Sequence, residues 1–162
     1  MPDFIHLRVH SSYSLAEGAI RIIEEKPKDG HKAARKDLIQ LCLQNHMPAV
    51  TLTDKGNLFG ALEFAQAAAE HGIQPIIGCQ IAVLRAEQAH IKNLARDQFD
   101  QLVLLVQNEL GYRNLSALVT QTFLATDRAI PHVTIEELVQ HSGGLIALSA
   151  GIDGAIGHFL HE

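Results

Sequence analysis

Ile5-His6-Leu7-Arg8-Val9-His10, followed by Ser11-Ser12-Tyr13-Ser14-Leu15-Ala16-Glu17-Gly18, is the stretch on which the fold turns. Its first half reads as a strand, Ile5 to Val9, with apolar and polar residues alternating. On a strand His6, Arg8 and His10 stand at i, i+2 and i+4 and share one face. Ser14-x-x-Glu17 then has the form of a capping box.

Working outward, apolar runs alternate with helical segments. Ala19 to Gln44 is helical in character but broken by Pro27 and Gly30 around the charged stretch Glu24–Lys32, and a second helical run covers Ala33 to Asn45. Ala49 to Thr53 reads as a buried strand and Asp54-Lys55-Gly56-Asn57 as a turn. Leu58 to His71 is an Ala-rich helix stopped by Gly72. Ile73 to Leu84 holds one or two strands, Leu102 to Val106 another, and Leu110 to Phe123 a helix. Thr134-Ile135-Glu136-Glu137 is a capping box opening a short helix that ends at Gly143. Leu145 to Leu148 is a strand, and a further helix starts at Asp153. Strand, helix, strand at this spacing, with uninterrupted apolar strands, predicts parallel βαβ units in an α/β fold, open sheet or barrel. The chain stops at His161-Glu162 inside an apparent helix, which reads as a truncated domain.

The chain has 162 residues, 47% hydrophobic and 19% charged, enough apolar matter for a core and too little charge for disorder. Thirteen basic against 18 acidic residues give a net charge of −5, a poor start for gripping a phosphate backbone unaided. No apolar run reaches membrane-spanning length, and the start lacks the pattern of a signal peptide. Two cysteines, Cys42 and Cys79, fit no zinc or redox spacing and read as buried thiols in a reducing cytoplasm.

In parallel α/β folds chemistry sits past the carboxyl ends of strands. Those positions here are Val9–Gly18, Thr53–Asn57, Ile77–Gln80, the surroundings of Gln101, and Ser149–Asp153. The plainer reading of each candidate stands beside the functional one. His6 is a strand residue, His10 a hydrogen-bonded histidine, and Asp54 a cap for the helix near Asn57. Ser11, Ser12 and Ser14 lack the surroundings of a nucleophile and read as turn and cap residues. Gly56 and Gly60 match no phosphate-cradling loop.

The opening stretch resembles the first motif of the polymerase-and-histidinol-phosphatase (PHP) domain, and more narrowly the N-terminus of the bacterial DNA polymerase III alpha-subunit family. Four further segments match in order. They are Ala49-Val50-Thr51-Leu52-Thr53-Asp54-Lys55-Gly56-Asn57-Leu58-Phe59-Gly60, Gly72-Ile73-Gln74-Pro75-Ile76-Ile77-Gly78-Cys79-Gln80, Leu102-Val103-Leu104-Leu105-Val106-Gln107-Asn108-Glu109-Leu110-Gly111-Tyr112-Arg113-Asn114-Leu115, and Gly144-Leu145-Ile146-Ala147-Leu148-Ser149-Ala150-Gly151. The resemblance implies a distorted (β/α)7 barrel, of which residues 1–162 hold the N-terminal portion, with the polymerase domains outside this chain.

It also implies a metal site of His, carboxylate and Cys ligands, and here the pattern departs. Arg8 stands for the first His of the H-x-H, while His10 and Glu17 remain. Lys55 replaces a His, Gln80 a Glu, Gln101 a His, and Ala150 falls near the Cys. Two neutral ligands have become cations and one anion has become neutral, so the set is about three charges more positive than the complete pattern. At roughly 4 Å and an effective dielectric near 20, each added cation opposes each unit of metal charge by about 4 kcal/mol, and Arg cannot shed its proton. The expectation is therefore a vestigial site of Arg8, His10, Glu17, Lys55, Gln80, Gln101 and Ala150, with no catalytic residue and no metal in this segment.

By resemblance the full-length protein is a DNA-directed DNA polymerase using Mg²⁺ and meeting DNA and the sliding clamp. This segment would be an inactive scaffold docking the proofreading exonuclease subunit, away from any membrane. Two alternatives follow from the same residues. One is an active metal-dependent phosphoesterase or exonuclease with altered ligands (His6, His10, Glu17 and Asp100). The other is a phosphate held by Arg8, His10 and Lys55.

Overall fold

The computed structural model describes residues 4–23, 37–85, 98–125 and 128–161. The chain divides into two compact units, one running to Asp54 and resuming over Phe59–Ile77, the other made of Lys55–Leu58 and Gly78 onward.

In the first unit, helix α1 (Leu38–Gln44) starts at Asp37, whose side chain accepts from the Gln40 amide at 2.7 Å. That Asx cap fixes the helix start. Strand β1 (Ala49–Leu52) is buried at every position. Helix α2 (Ala61–Glu70) ends at His71, and Gly72 takes φ +71°. At such a φ an L side chain is strained, so glycine ends the helix. β1 pairs in parallel with the start of strand β2 (Gln74–Leu84) over Gln74–Ile77. Ile22, Leu38, Ile39, Cys42, Val50, Leu52, Phe64, Ala67, Ala68 and Ile73 form the core.

In the second unit the remainder of β2 pairs antiparallel with β3 (Phe99–Val106), and β3 antiparallel with β4 (Leu145–Leu148). Helix α3 (Glu109–Leu124) covers the face carrying Cys79, Ile81, Val83 and Leu104, through Leu115, Leu118 and Val119. The opposite face carries Val103 and Leu105, packed with Ala150. Helix α4 (Ile135–Gln140) follows, then a 3₁₀ turn (Gly151–Asp153) and helix α5 (Ala155–His161).

The α/β class stands, but three expectations change. Among the described strands β1 and β2 pair in parallel, and the other two pairings are antiparallel. Buried strands of either sense carry the same apolar run, so composition could not separate them. Ile5–Val9 forms no regular strand. Thr51 N donates to His6 O and Thr53 N to Val9 O. The partner offset slips by one residue between the two bonds, and the Thr53 hydroxyl takes the Val9 amide at 3.0 Å instead of a backbone carbonyl. Ser14 and Glu17 open no helix; Ser14 O accepts from the amides of Glu17 and Gly18 within a turn. The helical expectation over residues 24–36 lies outside the described residues.

The capping box at α4 is as expected. Thr134 Oγ1 accepts from Glu137 N at 3.3 Å, and Glu137 Oε2 accepts from Thr134 N at 2.8 Å. Arg128 forks onto the same carboxylate at 2.7 and 3.0 Å. The Arg128 hydrogen bonds hold the Glu137 carboxyl below its ordinary value of 4.5, with the Thr134 amide and Arg128 and His132 charges adding to them against the opposing effect of burial. A lowered folded pKa gives stability that is present above the ordinary range and is lost as pH falls through the folded value. Glu137→Gln is therefore expected to cost about 1 kcal/mol near neutrality. The deficit should shrink below about pH 4.5; denaturant unfolding at several pH values reads it. An equal deficit at pH 7 and pH 2.5 would contradict the ionic origin.

Candidate functional site

The candidate positions divide between the units. In the first, His10 Nδ1 lies 3.7 Å from Glu17 Oε2, with His10 half-buried and Glu17 exposed. Both flank a turn that is tied down from within. Asp54, 2% exposed, accepts from Ser11 N at 2.7 Å, Ser11 Oγ at 2.8 Å and Ser14 Oγ at 2.6 Å. Ser11 and Ser14 are themselves buried, and the Ser11 hydroxyl accepts from Tyr13 N at 3.2 Å. Asp54 thus caps no helix; the N-cap of α2 is Gly60, and no side chain caps it. Sequence reasoning assigned the two serines to turns correctly but missed that a residue forty positions on receives their hydroxyls. Tyr13 OH donates to Glu63 on α2 at 2.9 Å, and this bond, with the carboxylate's charge, raises the phenol above its ordinary range.

Arg8 is exposed beside this turn in sequence, and His6 is also exposed, with its ring edge-on to Phe4 at 4.8 Å. Ala16, exposed in the same turn, has φ +66°. A side chain pays for that conformation and glycine does not. Ala16→Gly is expected to raise stability by about 0.5–1 kcal/mol; an unchanged or lower unfolding midpoint would show that the turn is not strained there.

In the second unit the expected positions come together on β2 and β3. Lys55 bridges Gln80, and Gly56 N donates to Gln80 O at 2.8 Å. Gln80 Nε2 donates to Gln101 Oε1 at 3.2 Å. Gln80 pairs with Val103 and Ala82 with Gln101. By strand alternation both glutamines therefore lie on the face of Val103 and Leu105, where Ala150 also packs. Gln80 is 2% exposed and Ala150 6%. Ala150 takes φ 49° at the start of the 3₁₀ turn. Lys55 is exposed.

Asp100, one residue from Gln101, points its carboxylate elsewhere. It accepts from Arg85 Nε at 2.9 Å and lies 2.7 Å from His158 Nδ1. Neither partner was foreseen, since each is isolated in sequence. Among the described residues no group of three or more His, Cys, Asp or Glu side chains is placed to hold a metal ion. The donor set of the second unit, two amides bonded to each other, does not suit a His-rich divalent cluster. Cys42 and Cys79 are both buried and neither is in a disulfide, and burial raises the Cys42 thiol above its ordinary range. Among the described residues no helix is long and apolar enough to cross a membrane.

The PHP domain family matches residues 6–162, nearly the whole chain. The chain belongs to the PHP domain family. Curated relatives of this PHP chain are DNA polymerase III alpha subunits. That of Rickettsia conorii is 39% identical over 160 residues, covering 98% of this chain and 12% of the relative. That of Caulobacter vibrioides is 41% identical over 154 residues, covering 94% and 12%. The PHP chain thus spans about an eighth of the length of these relatives. A solved amidohydrolase from Chromobacterium violaceum overlays 73% of this chain and 32% of its own with a TM-score of 0.48 at 22% identity. That likeness is too low to bear on the site.

Proposed function

We propose that this PHP segment belongs to a DNA polymerase III alpha subunit and serves there as a catalytically inactive scaffold that docks the proofreading exonuclease subunit. In that reading the full-length protein is a cytoplasmic DNA-directed DNA polymerase. Mg²⁺, DNA and the sliding clamp engage its other domains. Relatives of that name at 38–41% identity support the assignment.

The observation that carries the inactive role is the amide pair. By the family pattern, Gln80 and Gln101 stand where a carboxylate and an imidazole would ligate metal, and they hydrogen-bond to each other instead. A neutral amide oxygen is a weak donor for a His-rich cluster. Arg8 and Lys55 at two further ligand positions add positive charge. Such a set favours cohesion through hydrogen bonds over metal binding, and no hydrolytic step follows from it.

A second reading, a phosphoesterase with altered ligands, draws on the retained His10–Glu17 couple at 3.7 Å. Two experiments on the full-length protein separate them. Incubated with nucleotide or phosphomonoester substrates and added Mn²⁺ or Zn²⁺, it is expected to release no phosphate above background. Mixed with the exonuclease subunit, it is expected to form a stable complex that is lost when the PHP segment is deleted. Release of phosphate that disappears in His10→Ala would overturn the inactive reading. An undiminished complex without the PHP segment would overturn the docking role.

A further inference from the structure

The first unit presents apolar side chains to solvent where the Ser11–Gly18 turn meets α2. Phe59 and Leu62 are 68% and 70% exposed, Leu15 87% and Tyr13 38%. All four belong to that one compact unit. The Tyr13 ring lies across the start of α2: a Cβ on Gly60 would stand 2.8 Å from its Cδ2, and its hydroxyl donates to Glu63 at 2.9 Å. Phe59 flanks Gly60 and Leu62 flanks Glu63 in sequence. Tyr13, Phe59 and Leu62 therefore gather around one helix start. Leu15 stands two residues further along the same turn.

The turn holds these side chains ready. Asp54 anchors Ser11 and Ser14 on either side of Tyr13 through three buried hydrogen bonds, and Ala16 keeps φ +66°. Strain of this kind persists where the surroundings impose it, and it gathers at ligand-holding surfaces. A leucine exposed to this degree adds little to the core, and fixing it beforehand lowers the ordering cost of association. Charge defines the occupant. Glu63 is exposed among the apolar side chains, and both charges acting on the Tyr13 phenol, those of Glu63 and Asp54, are negative. Tyr13 takes Glu63 Oε2, and a carboxylate accommodates further donors. A wholly apolar occupant would strip Glu63 of water without compensation, whereas a cation beside an apolar anchor would pair with it.

We propose that Tyr13, Phe59 and Leu62, with Leu15 beside them and Glu63 among them, form a docking surface for a protein segment that carries an apolar side chain next to a lysine or arginine. The apolar side chain covers Phe59 and Leu62, and the cation pairs with Glu63. The inference rests on the docking role proposed above and assigns that segment to the exonuclease subunit.

Calorimetric titration of the full-length protein with the exonuclease subunit tests it. Phe59→Ser and Leu62→Ser are each expected to weaken the complex by about tenfold or more. Val139→Ser, at a comparably exposed apolar position in the second unit, is expected to leave it unchanged. Added salt is expected to weaken the wild-type complex, and to weaken the Glu63→Gln complex less. Unfolding midpoints of the variants check that each is folded; should Phe59→Ser not be, Leu62→Ser decides. Wild-type affinity in the serine variants, with the complex still lost on deletion of the PHP segment, would overturn this surface and leave the docking role standing. A complex undiminished by that deletion would overturn both. An equal loss in Val139→Ser would contradict the location, and unchanged salt sensitivity in Glu63→Gln would contradict the basic partner.

Discussion

Gly111→Ala is expected to destabilise the chain by roughly 3 kcal/mol. Asn108 caps α3 by accepting from Gly111 N at 3.0 Å, and Gln107 N donates to Gly144 O at 2.9 Å. Asn114 Nδ2 donates to Gly143 O at 2.8 Å. The helix start and the turn before β4 are thereby pressed together, and a Cβ on Gly111 would stand 1.9 Å from Gly144 O. Backbone on both sides leaves no flexible side chain to yield. Gly144 is itself crowded: it holds φ +75°, and a Cβ added there would stand 2.3 Å from Asn108 Oδ1. Denaturant unfolding measures the effect; a loss under about 1 kcal/mol would mean that the two segments separate easily.

The second large effect is expected at Asp54. Its carboxylate accepts one amide and two hydroxyls, all buried. Asp54→Ala removes the carboxylate that three buried donors share, at a cost of about 3–5 kcal/mol. Asp54→Asn keeps the Oδ1 acceptor for Ser11 N and Ser14 Oγ, and is expected to cost about half as much. Equal losses in the two variants would show that charge, rather than the hydrogen-bond count, holds the turn. In Asp54→Ala the His10 and Glu17 resonances are expected to broaden as the turn loosens.

What the sequence revealed follows where its signals are local. The Thr134–Glu137 box and the Gly72 stop are written in neighbouring residues, and the start of α4 and the end of α2 lie where the pattern placed them, whereas α2 starts at Ala61 rather than Leu58 and α4 ends at Gln140 rather than Gly143. β4 matches Leu145–Leu148. Longer-range facts were hidden. Antiparallel pairing of β2, β3 and β4 leaves no mark on an apolar run. Asp54 next to a Thr and a Lys looks like a turn residue, and only the fold brings Ser11 and Ser14 to it. Gln80 and Gln101 could be named as departures from a ligand pattern, but their mutual hydrogen bond depends on β2–β3 register. His158, among ten histidines, carried no signal at all until α5 placed it against Asp100.

The central claim, that amides and cations have displaced a metal cluster, is tested most directly by metal content. The full-length protein, equilibrated with Zn²⁺ or Mn²⁺, freed of excess and analysed by elemental mass spectrometry, is compared with variants at Gln80 and His10. The account predicts that wild type retains no stoichiometric metal attributable to this segment, and that His10→Ala and Gln80→Ala leave the content unchanged. Retention of whole equivalents of metal that fall away in either variant would contradict it.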